Sequence, residues 1–97
     1  IKDEVINIIA ADHKDLKDAI VPDISTFLYN VKDKLKQYTL QLADKDIKVS
    51  EFEYNVAGLK ELCEMKALQE QGIEQITIDK IKGQIVSAIT SSIIDKL

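Results

Sequence analysis

The residues of this chain that could do chemistry are a lone histidine, His13, a lone cysteine, Cys63, and a large set of carboxylates. Nucleophilic catalysis by Cys63 needs a base beside the thiol and a lowered thiol pKa. Its neighbours are Glu61 and Glu64, whose negative charge raises a thiol pKa, so Cys63 is expected to be a buried structural residue that reacts slowly with thiol reagents. The carboxylates occur among lysines such as Lys60 and Lys66, as charges on helix surfaces. Acid–base catalysis needs instead a concave site that pushes the pKa values of two carboxyls apart. No glycine-rich phosphate loop, serine nucleophile elbow or metal-spaced cysteine cluster occurs. The chain is not expected to be an enzyme.

His13 lies in Ile8-Ile9-Ala10-Ala11-Asp12-His13-Lys14-Asp15-Leu16, a stretch that resembles the opening of hemerythrin-like cation-binding domains, themselves four-helix bundles. That family builds a di-iron site from several further histidines and carboxylates. This chain has no second histidine and no Glu-x-x-His motif, so neither a metal nor another cofactor is expected. Asp12 falls near the middle of the apolar face of the first helical pattern, where an unpaired carboxylate would be costly. It is expected at a rim, partly exposed or beside a lysine, and not paired with His13, which diverges from it by about 100° on a helix.

The elements that must carry these residues are limited by composition. With 97 residues, 45% of them apolar and 31% charged, the chain suits one domain spanning 1–97, with no room for a second core. The net charge is −4 and every basic residue is a lysine. The charge is spread as −2 over 1–20, +1 over 21–48, −4 over 49–75 and +1 over 76–97. No basic stripe for nucleic acid emerges, and the planar fork of arginine is missing. The longest uncharged run, Gly83 to Ile94, falls short of a membrane span. A single cysteine suits a reducing compartment, which favours the cytoplasm. The chain opens at Ile1, which reads as a fragment of a longer precursor.

With three glycines and one proline, turn residues are too few for a many-stranded sheet, and apolar residues recur at spacings of three and four. The pattern predicts an all-α, four-helix antiparallel up-down-up-down bundle with helices at about 3–20, 23–43, 50–71 and 77–96. The first places Val5, Ile8, Ile9, Leu16, Ala19 and Ile20 on one face and ends at Pro22. The second has the most regular seam: Ile24, Leu28, Val31, Leu35, Tyr38 and Leu42, with Phe27 beside it. Ser50 is expected to open the third through a capping box with Glu53, placing Phe52, Val56, Leu59, Leu62 and Cys63 inside. Gly72 is expected to end it in a left-handed cap. The fourth begins near Thr77, and its apolar residues spread over about 200°, wider than a surface helix needs.

That surplus, with a second strip on the third helix, makes Tyr54, Met65, Leu68, Val86, Ile93, Ile94 and Leu97 the candidate partner interface. The competing structural reading is that the last helix is merely the most buried, touched by neighbours on two sides. The function expected is a non-catalytic helical protein–protein interaction or assembly module. Its partner is another copy or an unknown protein, and a homo-oligomer is expected. The alternative is a peripheral membrane or lipid-binding bundle using the C-terminal helix. That helix shows Gln84, Ser87, Ser91 and Asp95 where membrane-surface helices display lysine or arginine, so membrane is the less favoured partner.

Overall fold

Period-3.6 patterning becomes five α-helices in the computed structural model, which describes residues 1–96, and no strand occurs among them. They are α1 (Lys2–Asp12), α2 (Lys17–Ala43), α3 (Val49–Gly58), α4 (Lys66–Glu70) and α5 (Gln75–Lys96), with 3-10 turns at Lys14–Leu16 and Leu59–Leu62. α1 and α3 each pack against both α2 and α5. Between them lies the core, in which Val5, Ile9, Ile20, Ile24, Val31, Phe52, Val56, Leu68, Ile78, Ile81, Ile85 and Ile89 have almost no exposed surface. α1 and α5 run in opposite directions, since Lys96 pairs with Glu4 at 2.6 Å while His13 bonds Gln84. The Lys96 ammonium, helped by the Ser92 hydroxyl, lowers the pKa of the Glu4 carboxyl.

The expected boundary between the first two helices moves from Pro22 to His13. A helix unbroken from residue 3 to 20 would bury Asp12; the chain instead leaves the helix at His13 (φ −137°, ψ 56°), and Asp12 stays exposed. Pro22 lies inside α2, where it cannot donate to the Asp18 carbonyl. Both residues are exposed, so water reaches the freed carbonyl, and burial of Ala19, Ile20 and Ile24 around them holds the helix. Ile8, expected inside, is 48% exposed, because α1 buries only the narrower stripe of Val5, Ile9 and Ala10.

The third expected helix, 50–71, is broken. In a straight helix Cys63 and Met65 would diverge by about 200° and could not both face inward. The chain leaves the helix at Cys63, which is extended, and turns at Met65, which is left-handed at φ 54°; both side chains are then buried. Leu62, also expected inside, is left 46% exposed. The helix starts one residue earlier than Ser50, and Glu51 rather than Glu53 reaches back, accepting from the Lys48 N–H at 3.0 Å.

Met65 has no side-chain oxygen with which to cap the helix it precedes. The buried carboxylate of Asp23 on α2 does so from across the core: Oδ1 accepts from the Ala67 N–H at 2.9 Å and Oδ2 from the Leu68 N–H at 3.0 Å. Charge and geometry both suit the free N–H groups and dipole at a helix start. At the other end of α4, Gly72 takes φ 75° as expected; its N–H bonds the Gln69 carbonyl and that of Ile73 bonds the Leu68 carbonyl, completing a Schellman cap.

Asp23→Ala is expected to lower unfolding stability by about 2 kcal/mol, because one buried and one partly buried donor lose their acceptor. A urea midpoint unchanged within error would contradict that assignment. The glycines supply a pair of opposite sign. An added Cβ meets nothing within 4 Å at Gly72 or at Gly83 inside α5, so only backbone conformation decides. Gly72→Ala should destabilise and Gly83→Ala stabilise, each by about 1 kcal/mol in the same assay.

Candidate interaction groove

The residues with chemical potential are dispersed. His13, half-buried beyond the end of α1, donates from Nε2 to Oε1 of Gln84 at 2.8 Å, and its neighbour Asp12 faces solvent. Cys63 is buried between the turn before α4 and the core. Its thiol is pushed up from 9.0 to about 11, chiefly by burial, with Asp23 adding to the rise and Lys82 opposing it. The acid that acts on the thiol is therefore Asp23, brought from another helix, and not the adjacent Glu61 or Glu64. A cleft of about 220 Å³ runs between α2 and α4 beside Asp23, Phe27 and Met65. Its buried carboxylate is committed to the α4 amides, and Glu64, which also lines it, is exposed and pairs with Lys66 at 3.2 Å. Among the described residues no three His, Cys, Asp or Glu side chains converge in a way that could hold a metal ion.

The seven candidate interface residues separate by burial. Met65 and Leu68 are 3% and 0% exposed, and Val86 is buried as well. They belong to the chain's own core, so the second apolar strip expected on the third helix is not a surface. The break at Cys63–Met65, which a helical wheel does not anticipate, turns them inward. Tyr54 is 80% exposed, whereas Ile93 and Ile94 are half-buried at the edge of the core; Leu97 lies outside the described residues. The apolar face of α5 is mostly interior, with Ile78, Ile81, Ile85, Val86, Ala88 and Ile89 buried and α1 and α3 both packed on the helix, which accounts for the width of that face.

A second apolar surface lies mainly on α2, where the edges of the core residues Leu28 and Leu35, each 8% exposed, adjoin the exposed Leu40. Leu28, Leu35 and Leu40 of α2 and Ile93 of α5 form an open groove of about 310 Å³ whose walls are almost wholly apolar. Lys32 and Lys36 stand at its rim, and no carboxylate of the described residues lines it. Leu40 is 53% exposed. α2 has 27 residues and α1 only 11, so α1 covers part of its length. The signal in the sequence was Leu40, an apolar residue outside the 24-28-31-35-38-42 seam. The groove offers no convergent polar groups for catalysis; what it can do is bury apolar side chains of a partner beneath a positively charged rim.

Native Cys63 should react with a thiol reagent at pH 8 at least about 100-fold more slowly than the urea-unfolded chain. Since the folded thiol binds its proton more tightly than the unfolded one, stability should fall as pH rises from 9 towards 11. Cys63→Ala should remove that part of the fall, and an identical pH profile in the variant would contradict the burial effect. No family model matches the chain, and searches of curated proteins and of solved structures also return no match, so the functional reading rests on the groove and its surroundings.

Proposed function

We propose that this chain is a non-catalytic helical module that acts by contact with protein, through an apolar helix surface. The observation that carries the reading is the groove of Leu28, Leu35, Leu40 and Ile93, apolar yet open to solvent at Leu40. Its shape supports a protein partner. A small-molecule site encloses most of its ligand, and a membrane-docking face protrudes, whereas an open groove between helices accepts side chains of another helix. α5 buries Ile78, Ile81, Ile85 and Ile89, which leaves the C-terminal helix little apolar surface to insert into lipid. No helix among the described residues is long and apolar enough to cross a membrane.

The proposal extends to the architecture. α3 and α4 together occupy one corner of a four-cornered, up-down-up-down bundle, with α1, α2 and α5 at the others; the packing of α1 and α3 against both α2 and α5 supports it. The buried thiol suits a reducing compartment such as the cytoplasm.

Sedimentation equilibrium of the native chain and of Leu40→Asp tests the reading. The native mass should exceed the monomer at high concentration, and Leu40→Asp should remain monomeric with its urea midpoint moved by no more than about 0.5 kcal/mol, as for an exposed residue. A loss of stability of about 2 kcal/mol or more in Leu40→Asp would make the groove part of the fold. Binding of the native chain to anionic vesicles would favour the lipid reading instead.

A further inference from the structure

Charge is distributed unevenly around the groove. Between Lys32 and Lys36, α2 carries three lysines and a single aspartate, Asp33, which does not line the groove. Lys32 and Lys36 make no ion pair among the described residues, where the two salt bridges are Lys66–Glu64 and Lys96–Glu4. The Lys32 ammonium lies 4.4 Å from the centre of the Tyr29 ring. In a chain of net charge −4, this is an apolar cleft with a positive rim and, among the described residues, no ion-paired counter-charge.

The opposite character appears on α3 and the 3-10 turn that extends it. From Val49 to Glu64 the chain holds four glutamates and one lysine. With about 100° per α-helical residue and about 120° per 3-10 residue, Glu51, Tyr54, Gly58 and Glu61 fall within about 60° of one another. All four are exposed, and Tyr54, at 80%, is the most exposed of the large apolar residues. Glu51 and Glu61 make no ion pair among the described residues. The result is a ridge with an aromatic anchor, flanked by negative charge and by the small residues Ala57 and Gly58.

We propose that the groove's occupant is a second copy of this chain, whose α3 ridge seats Tyr54 among Leu28, Leu35 and Leu40 and sets Glu51 and Glu61 against Lys36 and Lys32. This deepens the reading of a protein-contact module and rests on it. A ridge and a groove are different surfaces, so the contact is head-to-tail: each docked pair still offers one free groove and one free ridge, and association continues beyond a dimer into rings or filaments. Charge complementarity sets the register, and the apolar insertion provides the driving force. With so small a contact, association is weak and falls as salt screens the exposed charges.

Charge reversal and re-pairing test this by sedimentation equilibrium at low salt, from micromolar to about millimolar chain. Lys32→Glu with Lys36→Glu makes both surfaces negative; Tyr54→Lys with Glu61→Lys makes both positive and keeps the Glu51 cap of α3. All four positions are exposed, and helical circular dichroism with urea midpoints checks that each variant folds. The native mass should rise with concentration past the dimer and fall in high salt. Each variant alone should associate at least about tenfold more weakly, and an equimolar mixture of the two should recover association to within about threefold of native. A strictly monomeric native chain, or a mixture that fails to recover, overturns the proposal. Association that Leu40→Asp abolishes but charge reversal leaves intact also overturns this pairing, while sparing the broader reading of an interaction module.

Discussion

The fold depends on one carboxylate serving two helices. Asp23 belongs to α2, yet its oxygens are spent on the amides of Ala67 and Leu68 in α4. A buried charge without partners would favour unfolding, so its burial requires that α4 begin at that point. The helix it caps is five residues long, too short to persist alone, and its preceding residue is left-handed. Asp23 and the Gly72 cap hold α4 at its two ends, and between them Leu68 enters the core with no exposed surface. Without that pinning, only the burial of Cys63, Met65 and Leu68 would draw the segment from Cys63 to Ile73 off the axis of α3.

Pinning α4 to the first half of α2 divides α2 into two regimes. Around Asp23 it is enclosed by α1, α4 and the core, and Ile20, Ile24 and Phe27 are buried. Towards its C-terminal end the cover thins, and Leu40 emerges with Lys36 beside it. The same end carries the start of α3, whose outer face is acidic and aromatic. The groove and the ridge are thus two consequences of one design, in which α1 and α4 are shorter than the helix they cover.

Much of this was legible in the sequence, and the misses have physical causes. Helical class, the seam of α2 and the extent of α5 follow from spacing alone, and Gly72 as a C-terminal cap follows from its lack of a side chain. The misfit of Asp12 on the apolar face was visible, but its resolution, a break at His13, was not, because Pro22 presented the stronger local stop signal. Tertiary burial overrode it. The α3–α4 break was hidden because it depends on Asp23, forty-four residues from its partner Ala67. A helical wheel treats Cys63, Met65 and Leu68 as one continuous helix and so assigns Met65 and Leu68 to a surface that does not exist. Leu40 was readable as an apolar residue off the seam, whereas its partnership with Lys32 and Lys36 around a groove needs the packing of α5.

Amide hydrogen exchange at Ala67 and Leu68 is the most direct test of the central claim that Asp23 holds α4 in place. If the carboxylate binds both N–H groups, these amides at the second and third positions of a five-residue helix exchange only as slowly as core amides such as that of Ile85. Exchange at the rate of a frayed helix start, while Ile85 stays protected, would contradict the account and leave α4 an unanchored turn.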